Sequence, residues 1–202
     1  MKYLAAGFHV FVLHYSLVPD VFPRALMELA LSMKLIREHG NEWNVDVKRI
    51  AVSGFSAGGH LACCLGTFWN KEWLYKALEV KPEMIQPNGM ILCYPVITSE
   101  EYCHKGSFEC LMGTEASKKD MELRRLLSLE YQVGPQVPKK PFFMAYLDGS
   151  VSASREQPVA FTGFKKGRSK RGSTFVSDGP PRDRPWNRRN PGNRSEISGA
   201  LL

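Results

Sequence analysis

No stretch of this 202-residue chain approaches the run of about 18 apolar residues that a membrane-spanning helix needs, so no membrane partner is expected. Five cysteines are present: Cys63, Cys64, Cys93, Cys103 and Cys110. They form no C-x-x-C pair and no zinc-type spacing with histidine, which argues against a structural zinc site. They read as reduced thiols, and neither a metal nor a cofactor is implied. The N-terminal stretch "MKYLAAGFHVFVLHYSLVP" lacks the unbroken apolar core and small-residue cleavage site of a secretory leader, so a cytoplasmic location is expected. No histidine follows His104, and aliphatic residues are scarce beyond residue 149.

What is present divides sharply. The net charge is +7, and all of it lies in residues 151–202, where 11 Lys and Arg face 4 Asp and Glu. Residues 1–150 carry 16 of each sign and are neutral. The division predicts a partial, balanced globular domain over 1–149 and a disordered basic tail over 150–202, rich in Arg, Gly, Pro, Ser and Asn. Within the domain, strands are expected at 8–15, 50–53, 89–94 and 141–147, each apolar and rich in β-formers. Helical spacing covers 22–40, with Pro23 in the first turn and Gly40 suited to a C-cap, and resumes after Ser56 as far as about Phe68. Strands alternating with helices predict an α/β fold with a mostly parallel sheet. Residues 96–140 form an irregular, partly helical insert whose composition is that of a cap.

The segment with the most chemistry is "RIAVSGFSAGGHLACCLGTFW", residues 49–69. A short strand runs into Gly54-Phe55-Ser56-Ala57-Gly58, and a small-residue helix follows at once. A serine hydroxyl becomes a nucleophile only when a base takes its proton, and it must project into open space. A sharp strand-to-helix turn supplies that projection, and its crowding calls for glycine two residues before and two after the serine, here Gly54 and Gly58. The helix that begins there directs its first N–H groups at developing negative charge, and by this geometry Ala57 supplies an oxyanion donor.

The strings "YSLVPDVFPRAL", "EWNVDVKRIAVSGFSAGGHLACCLGT" and "GMILCYPVIT" resemble the acetyl-esterase and carboxylesterase branch of the α/β-hydrolase superfamily. The resemblance covers about Tyr3 to Asp148. It implies hydrolysis of a small carboxylic ester without metal, Ser56 as nucleophile, and Asp148, in "LDGSV", as the acid of the triad. Two departures set this chain apart. The family's His-Gly-Gly oxyanion loop and the strand before it have no counterpart here, so the chain is expected to be truncated at its N-terminus, with a strand missing between those at 8–15 and 50–53. The family's catalytic histidine, from a His-Gly segment near the C-terminus, is also absent. Of the histidines present, His9, His14, His39 and His60 read as structural, and His104, in the insert, is the one movable candidate.

The genetic code offers a test of the tail. Moved one base forward, the codons permitted for Gly179–Trp186 allow Gly-Pro-His-Gly-Ile-Gly-Leu-Gly. In the same frame, residues 154–167 allow a run ending Leu-Gln-Ala-Leu-Lys-Lys-Ala. Both resemble the family's missing segments, in the expected order, so residues from about 150 onward are expected to be out of frame. The expected function is a serine esterase impaired in this chain. The alternatives are a noncatalytic fragment, or a binder of nucleic acid or an acidic partner through the tail, where Phe161, Phe164 and Trp186 accompany the arginines; the nucleic-acid reading is the weaker one.

Overall fold

The computed structural model describes residues 2–100, 103–138, 142–145 and 200–201. In chain order it contains α1 (Lys2–Ala5), β1 (Val12–Leu13), α2 (Arg24–Glu38), β2 (Ala51–Phe55), α3 (Ala57–Phe68), α4 (Glu72–Ala77), α5 (Pro82–Ile85) and β3 (Gly89–Cys93). The insert supplies α6 (Lys105–Met112), α7 (Thr114–Lys119), α8 (Met121–Leu127) and a 3₁₀ turn at Leu129–Tyr131; β4 (Phe142–Ala145) and β5 (Ala200–Leu201) complete the elements.

The strands form one sheet in the order β1-β5-β2-β3-β4. β2, β3 and β4 are mutually parallel, with Ala51 opposite Gly89 and Phe55 opposite Cys93. β5 runs antiparallel to both of its neighbours, pairing Val12 with Leu201 on one side and Ser53 with Leu201 on the other. The slot in which a strand is missing by sequence is therefore occupied by two residues of the tail. The other residues of that tail, over which coil is expected, lie outside the described residues.

α3 packs on β2 and β3 and is buried from Gly58 to Phe68. Its small residues make that possible: a Cβ on Gly66 would overlap the Met90 sulfur. α2 lies beside α3 and buries Leu26, Leu29, Ala30, Met33 and Ile36, a stripe at helical spacing. Val52, Met90 and Leu92 fill the space beneath the helices. Arg37, half-buried near the end of α2, donates from Nη1 to Met84 O at 2.9 Å and from Nη2 to Gln86 O at 2.6 Å. Its Nη2 also reaches Asn88 Oδ1 at 3.3 Å, an atom that accepts from the Ile50 N–H at 3.0 Å. One guanidinium thus ties α2 to the starts of β2 and β3.

Three sequence expectations shift. The strand expected over 8–15 narrows to Val12–Leu13, because only there does β5 provide a partner. Pro23 sits just ahead of α2 as its N-cap rather than inside the first turn. Gly40 follows the C-cap His39, and its lack of a side chain serves packing: a Cβ there would overlap Val47.

Candidate active site

β2 ends at Phe55 and α3 begins at Ala57, so Ser56 is the single residue of the bend. Its backbone stands at φ 52°, ψ −118°, a region that costs a non-glycine residue about 1–3 kcal/mol and persists only where neighbours enforce it. The Ser56 N–H donates to Cys93 O at 3.0 Å, and Ser56 O accepts from Val96 N at 3.3 Å and from His60 N at 3.1 Å. The side chain does not cap α3, and Ser56 and Ala57 are both exposed. The hydroxyl stands at the C-terminal edge of the parallel strands and makes no hydrogen bond among the described residues. Ala57 is the first helical residue, so its N–H has no acceptor within α3.

The glycines explain how strand and helix come so close. A Cβ on Gly54 would overlap the carbonyl of Gly58. Gly59, which sequence reasoning passed over, is constrained too, though less tightly: its Cβ would lie 2.9 Å from Pro95 Cβ and 3.0 Å from Pro95 Cα. The signal was available only as a third glycine-like position in "SAGG", because the residue that constrains it is far along the chain.

Asp148 lies outside the described residues. β4 ends three residues before it and runs parallel to β2 and β3, so the chain leaves β4 at the edge of the sheet that carries Ser56.

Three of the described histidines are held by other groups. His60 is buried, and its Nε2 lies 2.9 Å from Leu127 O. A carbonyl can only accept, so Nε2 carries the proton, and Nδ1 accepts from Cys64 Sγ at 3.4 Å. Burial pulls His60 down to about 4, against a smaller upward push from the Leu127 bond. His104 caps α6 through Nδ1, which accepts from Ser107 N. His39 pairs with Glu42 and stacks on Trp43. His9 and His14 are exposed, His14 immediately after β1. Burial pushes the Cys63 and Cys64 thiols up, away from thiolate chemistry. Among the described residues no group of three or more His, Cys, Asp or Glu could hold a metal ion, and no helix is long and apolar enough to cross a membrane.

The insert is anchored beside α3. Besides the His60 to Leu127 bond, Trp69 Nε1, just past α3, donates to Gln136 O at 2.9 Å; within the insert, Ser99 and Ser128 join hydroxyl to hydroxyl at 2.7 Å.

A strained serine at a strand-to-helix bend, on a parallel sheet with the helix behind it, is the arrangement found in esterases of the α/β-hydrolase fold. The BD-FAE family profile matches residues 1–131. The chain belongs to the BD-FAE family. This BD-FAE chain is 29% identical to endo-1,4-beta-xylanase B of Butyrivibrio fibrisolvens over 195 residues, covering 88% of the chain and 29% of that protein. That coverage exceeds what residues 1–149 alone could supply, so the alignment enters the basic tail. It is 29% identical to an acetylxylan esterase of Xylanibacter ruminicola over 113 residues, 55% of the chain and 21% of the relative. The chain thus spans under a third of either curated relative.

Among solved structures, the acetyl ester-xyloside bifunctional hydrolase of Caldicellulosiruptor lactoaceticus superposes with a TM-score of 0.62 at 29% identity, over 76% of this chain and 55% of that one. A lipase/esterase of Lactobacillus plantarum superposes with a TM-score of 0.58 at 23% identity, over 75% and 59%, which bears on the fold alone. The BD-FAE chain has the α/β-hydrolase fold and belongs to an esterase family.

Proposed function

We propose that this protein is a serine carboxylic-ester hydrolase whose nucleophile is Ser56 and whose substrate is a small ester, an acetyl ester on a sugar above all. The observation that carries the proposal is the exposed Ser56, held at positive φ between β2 and α3 with a hydroxyl that does not cap its own helix. The acetylated and xylose-based substrates in the names of two relatives support the substrate class.

In the reaction, Ser56 Oγ attacks the ester carbonyl carbon while its proton passes to a base. The carbonyl oxygen takes the negative charge beside the Ala57 N–H at the start of α3. Collapse expels the alcohol, which takes up the proton, and leaves an acyl-serine. Water then attacks the acyl carbon, releasing the acid and restoring the hydroxyl. The base is the weak point. No histidine follows His104, and His60, His104 and His39 are engaged in the packing, cap and pair described above. A triad lacking a member retains only about 10³–10⁴ over water, and that remainder depends on the oxyanion hole. We therefore read this chain as an impaired esterase, with Asp148 as the acid of an incomplete triad.

Hydrolysis of p-nitrophenyl acetate tests both parts. The expected result is slow turnover that rises with added imidazole, a base supplied from solution, with neither the turnover nor the imidazole effect beyond background in Ser56→Ala. Equal rates for the two proteins would overturn Ser56 as nucleophile. Fast turnover without imidazole, lost in Ser56→Ala, would overturn the impairment.

A further inference from the structure

Ser56 does not hold its own strained conformation. Its side chain makes no cap bond; its N–H is tied to the last residue of β3, and its carbonyl is shared between Val96 N, in the turn after β3, and His60 N at 3.1 Å in α3. Cys93 O takes the Ser56 N–H at 3.0 Å, and Val96 N gives its proton to Ser56 O at 3.3 Å. The two residues between them are unusual. Tyr94 stands at φ 37°, in the left-handed region, although a residue before proline is ordinarily extended. Its ring lies 5.9 Å from that of Phe55, the residue just before the serine, inclined at 57°. Pro95 is buried and rests on the first turn of α3 at Gly59, where there is no room for a Cβ.

We propose that the turn Cys93–Val96 is the clamp that fixes Ser56 for attack, and that Tyr94 is its positioning residue. The inference rests on the esterase reading for its function, though not for its geometry. Ser56 and Tyr94 both stand at positive φ, and the two hydrogen bonds join Ser56 to the residue before Tyr94 and to the residue after Pro95. The Tyr94 ring on Phe55 holds one side of the bracket, and Pro95 on Gly59 holds the other. If the ring is lost, Tyr94 is free to leave the left-handed region. The Cys93 carbonyl then turns from the Ser56 N–H, and the serine relaxes toward ordinary helical torsions with its hydroxyl swung away from the edge of the sheet. The phenol oxygen has no part in this, so phenylalanine suffices at position 94.

The test uses the full chain and three variants: Tyr94→Phe, Tyr94→Gly and Pro95→Ala. Glycine tolerates positive φ, so Tyr94→Gly relieves local strain and is expected to melt close to the parent. Two measurements are made on each. Amide hydrogen exchange reads the clamp directly. Protection at Ser56 and Val96 is expected to fall about tenfold or more in Tyr94→Gly and Pro95→Ala, to stay unchanged in Tyr94→Phe, and to stay unchanged at Val52 in all three. Labelling by a fluorophosphonate reads reactivity: the limiting rate at Ser56 is expected to fall about tenfold in the glycine and alanine variants, with the half-saturating concentration altered less than about twofold. A role in stability alone would move Val52 exchange along with Ser56 and would not spare Tyr94→Phe. Unchanged protection at Ser56 in both loosened variants overturns the clamp. Labelling is run with imidazole added as the base, since the chain is read as lacking its own; a parent protein that resists the fluorophosphonate even then counts against the esterase reading, while the exchange data still decide the clamp.

Discussion

At Gly54 an alanine would drive its Cβ into the carbonyl of Gly58, a backbone group that cannot swing aside. Overpacking of this kind costs roughly 1–3 kcal/mol and sometimes more. Gly54→Ala is therefore expected to lose about 3 kcal/mol in urea unfolding and to lose Ser56 reactivity with it, because strand and helix must part to admit the methyl. An alanine variant as stable as the parent would show that the close approach is not needed. His60 gives a pH-dependent counterpart. Burial holds its folded value at about 4, below the ordinary 6.5. The fold thus favours the neutral ring, and its contribution is complete above the unfolded value and lost as the pH falls from about 6.5 toward 4. Between pH 7 and pH 4.5 the parent is expected to lose about 2 kcal/mol more than His60→Gln. Equal losses in the two proteins would mean that the ring is solvated. The residues around Ser56 were legible because their constraints are local: glycines two before and two after a serine announce a tight bend. Gly59 was not, since Pro95 imposes its constraint from 36 positions away, and no periodicity reports such a contact.

Elements follow the same division between local and distant causes. α2 and α3 were visible from spacing and small residues, and β2 and β3 from short apolar runs; their bounds moved by only a few residues. β1 was overread, because a Val- and Phe-rich run shows β propensity but not whether a partner strand lies alongside. Gly54 in β2 and Gly66 in α3 make a useful contrast. Gly66 also lacks room for a Cβ, but its neighbour is the flexible Met90 side chain rather than backbone. Gly66→Ala gains about 1 kcal/mol of helix propensity against about the same cost of shifting the thioether, so it is expected to fall within about 1 kcal/mol of the parent where Gly54→Ala does not. A larger loss in urea unfolding would mean that Met90 is locked. Arg37 joins three elements through hydrogen bonds to two carbonyls and an amide oxygen, a planar fork that lysine cannot reproduce.

For the molecule as a whole, the described residues bring the basic tail to the neutral domain at the two-residue β5 between β1 and β2. Sequence reasoning located that slot by asking which strand of the fold was missing, but could not foresee that Ala200–Leu201 fills it, since nothing in a polar, glycine-rich tail marks its last residues for a sheet. The out-of-frame reading of the tail rests on codons that permit a family-like helix and a His-Gly segment, while the alignment to xylanase B continues past residue 149; the nucleotide sequence across codons 145–160 decides between them. The slot itself makes a physical demand. Without β5, the facing edges of β1 and β2 present unpaired N–H and C=O groups, which recruit other strands. Removal of residues 197–202 is therefore expected to lower the melting temperature and to shift the protein toward larger species in sedimentation velocity, with the shift growing with concentration. A shortened chain that melts and sediments like the parent would show that β5 adds no stability and that the β2 edge is protected by other means.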